Sequence, residues 1–371
     1  MEQQQSFPRL SGWRRLRALL REELRQLTII HASDRAWQMP VAAALATGLP
    51  LLVGAYFQRM DYGMVSSLGG LVFLYLPGTP LYHRMVLLMA CSFGMMACYT
   101  LGVMSQFFPP LMMPVLVFTS ILVTMVCRFY AVGPPGSLFF IMAASIGAYS
   151  RVPPMALPLM VGLITLGCLL ACLIGFLYSV YILRLHDPKP VAPLPPPTFD
   201  FVVLDSVVIG IFVGISLAVA QALQLEKAYW VPVSCLAVIQ GASLRAVWTR
   251  QLHRVLGTTL GLLVAWGLLS VLPLTAWSIS LAMMALTFVV ESTVVRHYAF
   301  AATFITPLTI LLAEAVTLGH TPLAALIQAR FFDTLLGCFV GLLGGICLHS
   351  PRFRELLGQQ MRRLFPSRPI S

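Results

Sequence analysis

The sequence predicts an all-α polytopic membrane protein of about twelve transmembrane helices, arranged as two parallel six-helix repeats. Three observations carry that expectation. First, of 371 residues 58% are hydrophobic and only 10% charged, with a mean hydropathy of +0.86. A soluble domain carries about 25% charged residues, so this chain must use lipid as part of its solvent. Helices satisfy their own backbone hydrogen bonds in hydrocarbon, and the apolar runs are long and unbroken rather than alternating as barrel strands do. Second, the runs come as six, a proline-rich break, and six more. Third, residues recur at near-constant spacing. Tyr62 and Tyr229 are 167 apart, as are Gly94 and Gly261; Arg128 to Ala131 repeats as Arg296 to Ala299 and Pro154 as Pro322, both 168 apart. Six spans per half make both halves enter from the same side, so the repeats are related by an axis along the membrane normal.

Residues 1–35 form a cytoplasmic basic segment. Arg14, Arg17, Arg21 and Arg25 stand at helical spacing beside a stripe of Leu16, Leu20, Leu24 and Leu27, the pattern of a helix lying on an anionic leaflet. It is too long and too charged to be the start of a cleaved signal. The first repeat occupies 36–183, with spans at 36–56, 63–78, 85–105, 108–127, 133–150 and 155–183. Two of these are short: Pro77-Gly78 ends one and Pro134-Pro135-Gly136 disturbs the start of another. Residues 184–200 are a proline-rich cytoplasmic linker, expected to be extended and semi-rigid. The second repeat occupies 201–349, with spans at 201–223, 229–243, 252–271, 275–291, 297–316 and 321–348; residues 350–371 are a cytoplasmic basic tail.

The net charge of +11 comes from 24 Lys and Arg against 13 Asp and Glu. The cations fall in loops and tails with no basic patch interleaved with aromatics, which argues against nucleic acid and for membrane topology. One side holds the N-terminal cluster, Arg84, Arg128, Arg184, Lys189, Arg245, Arg250, Arg254, Arg296 and the C-terminal cluster; the other holds Arg59, Arg151, Lys227 and Arg330. The expected topology is therefore multi-pass, with both termini cytoplasmic. The eight cysteines lie in or at the ends of apolar segments and read as small hydrophobes. No metal site, cofactor site or ATP-binding loop is legible, and no enzyme signature, so the chain reads as a non-enzyme.

The stretch Tyr229 to Gly261 organises the second half. An apolar run follows Tyr229 and Trp230; a short loop is expected to carry Arg245 and Arg250; a second apolar run opens with His253 and Arg254 and continues through Gly257, Thr258 and Gly261. Arg250 and Arg254 share a helix face. They are expected at a helix N-terminus, already positive by its dipole, where either an anionic substrate or lipid phosphates would relieve them. The order Tyr-Trp, Arg, Arg, Gly-Thr, Gly resembles the family of fusaric acid resistance proteins and aromatic acid exporters, and Arg296, Tyr298, Ala299, Arg330, Asp333 and Gly337 extend the resemblance through the second half. It implies export of organic anions, with aromatic carboxylic acids the family's usual assignment. Plant anion channels of the malate type share a similar six-span unit, which keeps a passive channel or uniporter open; a non-transporting envelope scaffold is a third reading. Expected partners are a small organic anion and the lipid bilayer, with a homo-oligomer or an envelope partner left open.

The candidate path residues are Arg330, Asp333, Glu314, Thr303, Thr306 and Pro307, with Arg245, Arg250 and Arg254 as an anion-gathering rim. A charge at mid-membrane costs about 2.5–3.5 kcal/mol. Arg330 and Asp333 are expected about 12 and 16 Å along the last span, at 1.5 Å per residue, where their spacing lets them pair with each other. The alternative is that Arg330 attracts a carboxylate and Asp333 exchanges a proton. Their first-half counterparts are neutral, so the site is expected in the second half. Glu314 could approach Arg330 or face water. Glu291 is expected to pair with Arg296, Asp205 to be interfacial, and Tyr229 and Trp230 to belong to an interfacial aromatic belt. Pro307 frees a backbone carbonyl that Thr303, Thr306 and Thr309 could re-satisfy.

Overall fold

The computed structural model describes residues 32, 35–194, 198–314 and 322–364. The amphipathic pattern expected before residue 32 lies outside them. The described residues contain twelve apolar helices. In the first half these are α1 (Gln38–Tyr56), α2 (Met60–Gly70, continued by a 3-10 turn to Tyr75), α3 (Leu81–Ser105), α4 (Pro109–Phe129), α5 (Leu138–Ala148) and α6 (Leu157–Ile182). In the second they are α7 (Asp205–Ala222), α8 (Trp230–Ile239), α9 (Leu244–Val271), α10 (Ala276–Thr293), α11 (Tyr298–Glu314) and α12 (Leu323–His349). A thirteenth helix, α13 (Pro351–Leu364), is polar and basic. Eight of the twelve are long and apolar enough to cross a membrane; α2, α5, α8 and α11 are shorter. The short ones occupy the second and fifth places of each half. The end of the bundle at which α1 begins is called the near end here, and the opposite one the far end.

Local chemistry sets several boundaries. Pro109 and Pro110 start α4, where a missing N–H costs nothing. Thr275 and Ser278 form a reciprocal capping box on α10. Ser243 accepts from the Ala246 N–H at 3.2 Å and caps α9. That cap corrects one expectation. Arg245 and Arg250 lie inside α9, not in a loop before it, because the polar stretch from Leu244 to Gln251 continues the helix beyond the apolar run.

Within the first half, α2 packs on α1 and α6, and α3 packs on α5 and α6. Within the second, α8 packs on α7 and α12, and α9 packs on α11 and α12. The halves meet along α4 with α7, α1 with α10, and α5 with α8. Buried carboxylates of the second half sit at the near end of two of these seams. Asp205, the first residue of α7, is 7% exposed. It accepts from Arg128 at 2.9 Å and from Arg354 of α13 at 2.7 Å. Glu291 pairs with Arg35 at 3.1 Å, not with Arg296. The reason is packing: the end of α10 lies against α1, so the cation just before α1 is nearer than the exposed Arg296 after α10.

Candidate functional site

Helix α8 is the centre of the second half. All ten of its residues are buried, and at 1.5 Å per residue it is about 15 Å long. It needs its neighbours close. A Cβ on Gly337 of α12 would fall 2.5 Å from the Val231 carbonyl oxygen and 2.6 Å from Ser234 Cβ, so only glycine lets α12 lie on α8. On the other flank, a Cβ on Gly261 of α9 would fall 2.5 Å from the Thr303 carbonyl oxygen of α11. That carbonyl is the one Pro307 deprives of its helical partner. The threonine hydroxyls do not re-satisfy it: Thr303 donates to Ala299, Thr306 to Ala302 and Thr309 to Thr306, each through the backbone oxygen. The close approach of Gly261 covers the freed carbonyl instead.

Trp230 and Ser234, four residues apart, share one face of α8, and each holds a guanidinium. Arg330 of α12 lies over the Trp230 ring, its Cζ 3.8 Å from the ring centroid, and donates to Thr309 Oγ1 at 3.0 Å. Arg254 of α9 donates to Ser234 Oγ at 3.4 Å and to the Tyr298 hydroxyl at 3.3 Å. Arg330 is 5% exposed, Arg254 7% and Asp333 1%. Their anchors on α8 are one turn apart, about 6 Å along its axis. Arg330 is within electrostatic reach of both Arg254 and Asp333, and Asp333 is within reach of Lys227 and Glu226 as well. Three buried polar atoms of this cluster meet no hydrogen-bond partner: Arg330 Nη1, Arg254 Nε and Asp333 Oδ2. Buried polar atoms are nearly always paired, and two buried cations facing one carboxylate leave an excess positive charge. The cluster has the donors and the sign to hold a carboxylate.

The sequence-predicted residues divide accordingly. Arg254, Arg330, Asp333, Thr303 and Thr306 are buried together between α8, α9, α11 and α12. Arg330 and Asp333 do not form the ion pair that their spacing allows, because Arg330 turns to the Trp230 face and Thr309. Arg254 is not at a helix N-terminus but ten residues into α9, about 15 Å along it. Arg245 and Arg250 are exposed at the near end and stand apart from the buried pair. Glu314 closes α11; its side chain lies outside what is described, and so does any approach to Arg330. Sequence reasoning missed Ser234, Tyr298 and the role of Trp230, which is 2% exposed and no belt residue. The signal in the sequence was partial: Trp230 and Ser234 stand at i, i+4 just before the arginine-bearing α9, while the approach of Arg330 depends on packing of α12 on α8. Beside Arg254, His253 stacks on His297 with ring centroids 5.7 Å apart.

At the far end of the first half, between the ends of α3, α4 and α5, is a cleft of about 490 Å³ lined by Phe107, Met112, Tyr149, Arg151 and Pro153 among others.

Residues 208–344, which run from α7 into α12, match the family described as fusaric acid resistance protein-like. The uncharacterised membrane protein YvaC of Bacillus subtilis (strain 168) is 29% identical over 153 residues, 40% of this chain and 24% of that protein. The similarity thus spans about a quarter of that relative's own length. No solved structure matches the chain.

Proposed function

We propose that this chain, a multi-pass membrane protein whose second half is of the fusaric acid resistance protein-like family, is a secondary transporter of a bacterial inner membrane. It moves organic anions outward and, by the family's usual assignment, aromatic carboxylic acids. The observation that carries this reading is the buried pair of guanidiniums on one face of α8, with unpartnered nitrogens on both and a single carboxylate beside them. Unpaired charge in such a place is expensive and marks a path or a ligand. The carboxylate of the anion lies between Arg330 and Arg254, and Asp333 exchanges the coupled proton.

Twelve crossings in two parallel repeats fit this use of the chain. The support is the matched neighbour pattern of the two halves and the placing of the short helices. Short segments at corresponding positions of two halves are where transporters build their sites. The cytoplasmic side is the near end. There Arg35, Arg84, Arg128, Arg184, Lys189, Arg245, Arg250, Arg296, Arg352 and Arg354 gather, against Arg59, Arg151 and Lys227 at the far end. The exposed Arg245 and Arg250 raise the anion concentration at the cytoplasmic mouth.

The test is binding of benzoate to the purified chain and its efflux from loaded vesicles. Binding that disappears in both Arg254→Gln and Arg330→Gln supports the reading. Binding that persists in both variants removes it.

A further inference from the structure

We propose that the far-end cleft of the first half is the outer mouth of the anion path, parted from the buried cations in the described conformation by a row of aromatic rings, and that the near end is the more firmly closed of the two. This rests on the transport reading above and adds to it a second anion-binding place, at Arg151, and a route between the two halves.

The route is a row of ring faces. Tyr149 lines the cleft. Its ring centroid lies 5.8 Å from that of Tyr229 on the other half, Tyr229 lies 5.4 Å from Trp230, and Trp230 carries the Arg330 guanidinium at 3.8 Å. Three contacting rings therefore lie between the cleft and the buried cation, and their movement would open the way. The cleft has the volume of a small-ligand pocket and apolar walls with few polar groups. Its charged group is Arg151, exposed and held at φ 51° in the left-handed region, a conformation that costs a non-glycine residue about 1–2 kcal/mol. The other far-end arginine, Arg59, is engaged by Asp61 at 2.9 Å and by the Tyr62 ring at 3.5 Å, whereas Arg151 makes no ion pair among the described residues. Gln58, Ala131 and Gln224 share that conformation; what sets Arg151 apart is that it carries a cation without an ion pair at the lip of a cleft.

The two ends of the half–half seams differ in the same sense. At the near end, buried ion pairs cross between halves, Arg128 to Asp205 and Arg35 to Glu291, and Arg354 adds a second hold on Asp205. At the far end, neutral side-chain contacts cross: Gln221 to the Tyr149 hydroxyl at 3.0 Å and to Met112 Sδ at 3.4 Å, Ser280 Oγ to Met60 Sδ at 3.8 Å, and the Tyr149 ring against Tyr229. The near end is locked by charge, and the far end is held by contacts that a passing ligand can break.

The experiment uses the full chain reconstituted in vesicles, with Met112→Cys on the cleft wall and Arg151→Cys at its lip, each treated with membrane-impermeant thiol reagents; the parent, treated identically, sets the background. A bulky maleimide on Met112→Cys should slow benzoate exchange at least tenfold. On Arg151→Cys, a cationic adduct should restore exchange and an anionic one should slow it further. The two adducts should differ about threefold to tenfold at low ionic strength and less at 0.15 M salt, where the screening length is about 8 Å. Complete labelling with unchanged exchange would make the cleft a surface dent. Failure of either cysteine to react would show that it is not open. Both results overturn the inference while leaving benzoate binding at Arg254 and Arg330 intact. Absence of benzoate binding by the untreated parent overturns the transport reading and this inference together.

Discussion

Replacing Arg330 by methionine separates a ligand-binding guanidinium from a structural one. Methionine keeps the length and apolar bulk over the Trp230 ring and makes favourable sulfur–aromatic contact. What is lost is the charge and the donation to Thr309 Oγ1. In the site described, Arg330 and Arg254 are anchored one turn of α8 apart, about 6 Å. Two unit charges at that distance repel by about 3 kcal/mol at an effective dielectric of 20. Removing one cation relieves that repulsion in the ligand-free protein, and Asp333 still has Lys227 within electrostatic reach. Arg330 and Asp333 form no direct ion pair in this structure, so the change does not break a buried salt bridge, which would cost about 3–5 kcal/mol. The bound state changes the other way. Losing one partner of a buried charge pair costs about 2–4 kcal/mol, or roughly 30- to 1000-fold in affinity. Calorimetric titration with benzoate should show that loss. Thermal unfolding of the purified chain should show Arg330→Met equal to or above the parent without ligand. With benzoate at 100 times the parent's dissociation constant, the parent should gain about 2.7 kcal/mol and the variant no more than about 0.9 kcal/mol. An Arg330→Met protein that melts well below the parent without ligand, yet keeps the parent's benzoate affinity, would refute the reasoning.

Three further outcomes follow from the same geometry. Asp333→Asn removes the negative charge that competes with a bound carboxylate, so benzoate should bind up to about tenfold tighter while a pH gradient no longer drives efflux and benzoate–benzoate exchange persists; conductance unchanged by this substitution would favour the channel. Asp205→Asn leaves Arg128 and Arg354 facing each other, and because Arg354 is 31% exposed the expected loss is about 2–3 kcal/mol rather than the full cost of a buried pair, measured as a lower unfolding temperature; Arg354→Gln, which leaves the Arg128 pair intact, should cost less. Gly337→Ala places a methyl group 2.5 Å from the Val231 carbonyl oxygen, where backbone cannot give way, so the folded yield should fall and the Trp230 environment should change in near-ultraviolet circular dichroism; unchanged spectra and yield would show that α12 and α8 are not held at that distance.

Several features were legible from residues alone, because each depends on a local quantity. Twelve apolar runs became twelve apolar helices in the expected order, since burying a backbone in hydrocarbon leaves the helix as the one local solution. Pro77-Gly78 and Pro134-Pro135 marked the short elements because proline and glycine act on their own stretch of chain. The start of α9 was misjudged for the converse reason: Arg245 and Arg250 look like loop residues by polarity, but Ser243 caps a helix that runs on past the apolar region.

Partners were not legible, because a partner is decided by what lies across the bundle. Arg330 and Asp333 are three residues apart and were free to pair. The α12–α8 contact at Gly337 instead brings the Trp230 ring under Arg330, and α11 supplies Thr309. Glu291 and Arg296 are five residues apart, yet the packing of α10 on α1 gives Glu291 to Arg35. The sequence by itself settled that this chain lives in a membrane and where its helices lie in order, and it put the charges Arg254, Arg330 and Asp333 on second-half helices. Only the tertiary structure decided that two of those charges share one face of α8 with too few counter-charges between them. Hydrophobic content is additive along a chain, whereas electrostatic balance depends on distances that only packing fixes.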